Sequence, residues 1–206
     1  MILAALLLYH GACASPAAFP PDLFGYKQSI QADTTVFGQW IQVLERHILI
    51  DVPEGDCTSK TLNRCHLRNW LAFLDSLKTL PPDEQLDEVN RYANKKPYVL
   101  DIDNYGVDDY WAVPKEFLYN NGDCEDYAIT KMFSLRWLGF DQNALRIVVL
   151  QDTNLRIPHA VLAVAAHDDI MILDNQISEV ISHHEIVHYA PVYSINESHW
   201  WIHLSN

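Results

Sequence analysis

Cys124 stands in the string Asn120-Asn121-Gly122-Asp123-Cys124-Glu125-Asp126-Tyr127, where a glycine-led turn runs into an apolar helical pattern. A thiol attacks as its thiolate, so a nucleophilic cysteine needs its pKa lowered. A helix starting at Cys124 offers free N–H groups and the positive end of its dipole. Gly122 permits the tight approach, Asp123 can act as N-cap, and Asp126 falls at the third helical position. His159 follows 35 residues later and Asp174 a further 15, both in strand-like stretches. Cysteine, histidine and aspartate in that order supply a nucleophile, a base and a carboxylate to orient the base. The same cysteine is wedged among Asp123, Glu125 and Asp126, whose charges oppose thiolate formation. A hard cation would offset them and accept oxygens from the neighbouring loop. A solvated acidic face is the alternative.

The elements that must position these residues show as periodicities. Val36, Phe37, Trp40, Ile41, Leu44 and Ile48 have helical spacing. A second helix is marked by Leu67, Trp70, Leu71, Leu74 and Leu77 and ends before Pro81-Pro82. A third carries Leu86, Val89 and Tyr92 and stops by Pro97. These aromatics read as core rather than as a cofactor box. Residues 15–30, with three prolines, read as an extended lead-in, and 97–113 as an acidic aromatic loop leading to a short turn at 114–119. The Cys124 helix is apolar nearly all round and ends at Gly139, a natural C′ residue, so it should be buried and central.

Beyond it the period becomes two. Strands are expected at 146–150, 159–165 and 170–174, and near 192–195 and 200–204. Helices first and strands second indicate an α+β fold. A hairpin turn centred between Ala166 and His167 would set His159 directly opposite Asp174, with Cβ atoms ~5 Å apart. His183, His184 and His188 resemble a transition-metal tract but read as a solvated loop.

With 206 residues, 49% of them hydrophobic, the chain can bury one core, and a single domain over residues 15–206 is expected. The formal charge of -13 opposes non-specific binding to nucleic acid or anionic membranes. Ile2 to Tyr9 is an apolar run followed by Ala12-Cys13-Ala14, so residues 1–14 read as a secretory signal despite lacking a basic lead. A buried N-terminal helix is the alternative. Cys13 does not make a lipoprotein motif, because His10 stands where leucine is wanted. No later stretch approaches the ~20 apolar residues of a bilayer span. In an oxidising compartment Cys57 and Cys65 can pair across a short loop or stay reduced, and Cys124 is then the odd thiol.

Gly122-Asp123-Cys124-Glu125-Asp126-Tyr127-Ala128 resembles the bacterial transglutaminase-like cysteine proteases. So do Asp109-Tyr110-Trp111-Ala112 and Pro114-Lys115-Glu116-Phe117 upstream, and His159-Ala160-Val161-Leu162 and Leu173-Asp174-Asn175 downstream. The resemblance is strongest over 98–176 and is to their periplasmic LapG-type members. It implies a papain/transglutaminase-like core with Cys124, His159 and Asp174 as the catalytic triad. It also implies Ca2+, with Asp123 and Glu125 carried over as ligands. Asp109, Asp108 and Asn104 join as further candidates from proximity and oxygen chemistry alone. The implied substrate is the N-terminal region of a large, LapA-like surface adhesin, cut at an Ala-Ala-type site to control biofilm attachment. The implied partner is a LapD-like inner-membrane cyclic di-GMP receptor. Asn120-Asn121 departs from the more glycine-rich family pattern. A transglutaminase-like acyltransferase and a non-catalytic module of the same fold are the rival readings.

Overall fold

The computed structural model describes residues 19–49, 51–59 and 61–205. The expected signal at 1–14, Cys13 included, lies outside the described residues. Two short strands, β1 (Asp22–Leu23) and β2 (Tyr26–Gln31), precede the helices α1 (Gly38–Leu49), α2 (Arg64–Leu77), α3 (Pro82–Asn94), α4 (Asp101–Asn104), α5 (Pro114–Asn120) and α6 (Cys124–Leu138). The strands β3 (Leu145–Asp152), β4 (Ile157–Ala166), β5 (Asp169–Leu173), β6 (Ile181–Ser182), β7 (Tyr189–Ile195) and β8 (Trp200–Leu204) follow. All the strands form one antiparallel sheet in the order β1-β2-β8-β7-β3-β4-β5-β6. The fold is the expected α+β arrangement, with a cysteine-bearing helix packed on an antiparallel sheet. No helix among the described residues is long and apolar enough to cross a membrane.

The all-round apolar pattern of α6 is realised as burial of every residue from Glu125 to Leu135. Ile129, Met132 and Leu135 pack with Leu145, Ile147, Leu162, Val164 and Leu173 of the sheet. Full burial of such a side chain stabilises by about 1.5–3 kcal/mol, which anchors the helix that carries Cys124. The indole of Trp40 on α1 donates to Asn196 O at 2.9 Å and that of Trp70 on α2 to Ser134 Oγ at 3.1 Å, so neither buried N–H is orphaned. Gly139 ends α6 at φ 98°, in the left-handed region that glycine enters freely. The opposite sheet face is also covered, by Leu23, Val148, Leu150, Val161, Ala163, Ile170, Ile172, Ile186 and Tyr189. Cover on both faces explains why Ala160 to Ala165 is apolar without alternation.

The lead-in, expected to be merely extended, is part of the sheet: β2 pairs with β8 from Lys27 opposite Leu204 to Gln31 opposite Trp200. The Trp200 indole donates to Asp33 O at 2.8 Å, which ties β8 to the end of the lead-in. The loop at 97–113 contains the single-turn helix α4. The third helix begins earlier than its apolar pattern, at Pro82, because proline at the first helical position loses no bond the helix needs.

The β4–β5 turn is at His167-Asp168, both at positive φ (52° and 60°), with Ala166 opposite Asp169 and Leu162 opposite Leu173. The register is therefore two residues away from the expected one. A shift of two preserves the face, where a shift of one would reverse it, so His159 and Asp174 still share a side of the sheet. In the β3–β7 pairing Tyr193 faces Val149 but Pro191 faces Leu150, which makes Val192 the extra residue of a β-bulge. Cys57 and Cys65 are joined by a disulfide, with Cα atoms 5.2 Å apart, just ahead of and at the start of α2.

Candidate active site

Cys124 begins α6, and the turn before it is built around a buried carboxylate. Asp126 Oδ1 accepts the Ala112 N–H at 2.6 Å and Oδ2 accepts the Asp123 N–H at 3.3 Å. This ties the Asp109–Ala112 segment to the turn. A Cβ on Gly122 would lie 2.0 Å from Asp126 Oδ2, so only glycine fits there. Asp123 occupies the expected N-cap position, and Asp126 stands at the third helical position. The Asp123 carboxylate is drawn into a cluster of acids. Cys124 is the one free cysteine among the described residues.

His159 lies on β4 and Asp174 immediately after β5. Both are buried, and His159 Nε2 meets Asp174 Oδ1 at 2.9 Å. Asp174 Oδ1 also accepts the Gln176 N–H at 2.9 Å, and Oδ2 accepts the Tyr189 hydroxyl at 2.6 Å. Burial pushes Asp174 up, but the hydrogen bond and charge of His159, with the other two donors, outweigh it and hold the carboxyl below its usual range. The carboxylate therefore fixes a proton on Nε2 and leaves Nδ1 unprotonated as the base nitrogen, which accepts a long bond from the Gln176 side-chain amide at 3.4 Å. Against burial and Glu125, which raise the Cys124 pKa, the backbone N–H of Ala160, next to His159, acts to lower it, which sets the thiol near this strand. Asn94 on α3 donates to Asp174 O at 2.7 Å and steadies the segment after β5.

The acids gather beside the thiol. Carboxylate oxygens of Asp101, Asp109 and Glu125 lie within 4.8 Å of one another, as do those of Asp101, Asp123 and Asp126, and the ligand atoms of Asp123, Cys124 and Glu125. Asp101 Oδ1 and Asp123 Oδ1 are buried without a hydrogen-bond partner. Burial, then the charge of Asp123, pushes Glu125 up to about 9. Burial, with the charges of Asp123 and Asp109, pushes Asp101 up to about 6. Asp123 is raised as well, first by burial. The thiol donates to Glu125 Oε2 at 3.2 Å, and burial followed by the Glu125 charge drives its pKa well above the ordinary value. Oxygen donors from two separate segments, two of them orphaned, fit a hard cation.

The expected site residues divide accordingly. His159 and Asp174 meet directly, while the hydrogen bond of the Cys124 thiol is to Glu125, which gathers with Asp109 and Asp123 beside it. Asp108 is exposed and joins none of the acidic groups, while the Asn104 amide nitrogen is buried without a hydrogen-bond partner. Asp101 takes the place expected for them. Its chain neighbours suggest a loop, whereas α4 turns it inward to accept the Tyr110 N–H at 2.5 Å. Tyr189 and Gln176 carry no local signal of their own. Lys131, two turns along α6 from Cys124, is buried with no hydrogen-bond partner for Nζ; burial lowers it to about 7 against the opposing charge of Asp174.

The histidine tract is not simply a solvated loop. His183 is buried, and its Nδ1 accepts the Phe24 N–H at 3.0 Å. That bond places the neutral proton on Nε2, which lies 3.6 Å from Asp169 Oδ1. The lone pair a metal would need there is taken up, so His183 is a structural residue.

A family model of the bacterial transglutaminase-like cysteine proteinases matches residues 54–206. Among solved structures, Legionella pneumophila LapG is 31% identical over 79% of this chain and 84% of that one, with a TM-score of 0.62. Its calcium-bound form gives 31% over 79% and 86%, and its EGTA-treated form 30% over 84% and 87%, each with a TM-score of 0.62. No significant match is found among curated proteins. The fold is thus a papain/transglutaminase-like α+β core. With the family model covering most of its length, the chain belongs to the bacterial transglutaminase-like cysteine proteinases and is a cysteine peptidase of the LapG type.

Proposed function

We propose that this chain is a calcium-dependent endopeptidase of the periplasm in which Cys124 is the nucleophile, His159 the base and Asp174 its orienter. The observation that carries the reading is the buried His159 Nε2–Asp174 contact at 2.9 Å on β4, the strand against which the helix begun by the free thiol of Cys124 packs. His159 Nδ1 takes the thiol proton, and the thiolate adds to the scissile carbonyl. The imidazolium returns that proton to the leaving amine, and a thioester forms on Cys124. Water, deprotonated by the same nitrogen, then releases the acid and restores the thiol. The Cys124 N–H, at the start of α6, is one donor to the developing oxyanion.

Asp101, Asp109, Asp123 and Glu125 would hold calcium. The ion would supply positive charge that neutralises the carboxylates opposing the thiolate. One of the similar LapG structures is calcium-bound, which supports this choice of ion. The substrate is the N-terminal region of a large surface adhesin, cut at a small-residue Ala-Ala-type site, so that cleavage releases attachment in a biofilm. A cyclic di-GMP receptor of the inner membrane is the partner that captures the protease. Likeness to LapG supports these assignments.

Cys124→Ala should abolish cleavage of a recombinant adhesin N-terminal fragment without altering the fold, read by gel and circular dichroism. Mass analysis of the wild-type product separates hydrolysis, which yields two fragments, from acyl transfer, which yields an amine adduct. Undiminished cleavage by Cys124→Ala would sink the assignment.

A further inference from the structure

The face on which Tyr189 lies is decided by one extra residue. Along β4, His159, Val161 and Ala163 share a side, opposite Leu150, Val148 and Arg146 of β3. Val161, Val148 and Leu150 belong to the cluster on the sheet face away from α6. In β7, Ile195 and Tyr193 pair with Ile147 and Val149, which pack toward α6. An unbroken strand would put Tyr189 on that side too. The bulge at Val192 reverses the parity, so Pro191 and Tyr189 pair with Leu150 and Asp152 on the face of His159.

There the hydroxyl of Tyr189 donates to Asp174 Oδ2 at 2.6 Å, and its ring meets the His159 ring edge-on, with centroids 5.7 Å apart. Phe24 supports the Tyr189 ring from 5.6 Å at 83°. The other carboxylate oxygen is taken by His159 and the Gln176 N–H. A carboxylate held at one oxygen can swing about its Cβ–Cγ bond, whereas one held at both cannot.

We infer that Tyr189 is a positioning residue for the peptidase reaction: it locks the second oxygen of Asp174, and through it the His159 ring, and the Val192 bulge is what aims it. The inference rests on the triad assignment above. Phenylalanine keeps the ring and the packing but leaves Oδ2 buried and without the tyrosine's hydrogen bond.

The test uses calcium-saturated protein, with Tyr189→Phe, Asp174→Ala and the double variant. Two measurements are made: steady-state cleavage of the adhesin N-terminal fragment, and the downfield proton resonance of His159 Nε2–H. Tyr189→Phe should lower kcat by roughly ten-fold with KM unchanged, the size expected for a lost hydrogen bond to a charged group. The resonance should be displaced or lost to exchange. The double variant should be no slower than Asp174→Ala, because Tyr189 acts only through Asp174. An unchanged kcat, an unmoved resonance, or losses that multiply independently would each overturn the inference. If the triad assignment itself is wrong, Cys124→Ala retains cleavage, whereas the resonance still reports on the Tyr189–Asp174–His159 contact.

Discussion

Calcium binding beside Cys124 should expel a proton, and the structure sets the size of the effect. Glu125 is held neutral, at about 9, by burial and by Asp123. At pH 7 about 1% of it is ionised, and ionising the remainder costs about 3 kcal/mol. The apparent calcium affinity at pH 7 should therefore be roughly a hundred-fold below its value well above pH 9, changing about ten-fold per pH unit up to about pH 8. Isothermal titration calorimetry in buffers of different ionisation enthalpy should count about one proton released per calcium at pH 7. Glu125→Gln should bind more weakly and release almost none. Stability follows the same linkage. The unfolded chain loses this proton above the ordinary carboxyl range, near 4.5, while the metal-free fold keeps it to about 9. The unfolded state binds fewer protons in that window, so the metal-free fold should lose stability as pH rises, by up to about 1.4 kcal/mol per unit. With calcium bound, Glu125 is ionised in the folded state and this slope should vanish. A calcium affinity that stays flat from about pH 6 to 8, with no proton released, would refute the reasoning.

Gly122→Ala should destabilise the protein by about 3 kcal/mol, because the new Cβ displaces Asp126 from the Ala112 and Asp123 N–H groups; an unchanged thermal midpoint would contradict this. Replacing Cys57 and Cys65 by serine should cost about 2.5 kcal/mol through the freedom restored to the unfolded loop. In thermal melts the midpoint should fall by about 5–10 °C, and an equal midpoint would show that the loop is already constrained without the bond.

What the sequence determined by itself was local. The nearly all-round apolar pattern of the Cys124 helix calls for a buried helix, because each apolar side chain costs free energy in water whichever way it points, and burial runs from Glu125 to Leu135. Gly139 ends it through backbone freedom alone. The strand-like stretches after Gly139 are marked for the same kind of reason, though β4 is apolar without alternation because both sheet faces are covered, and the triad residues stand in a chain order that their chemistry makes recognisable. The tertiary structure decided which distant groups meet. Nothing near Asp101 announces that α4 turns it toward Asp123, and nothing near Tyr189 announces Asp174. The first depends on where one helical turn docks, the second on a bulge that reverses strand parity. The hairpin shows the boundary between the two. His167-Asp168 adopts left-handed backbone, which these residue types enter more readily than most but signal less strongly than Gly or Asn, so packing on both sheet faces had to settle the register. The shared face of His159 and Asp174 survived because parity depends only on an even shift, whereas their 2.9 Å contact needed the folded sheet.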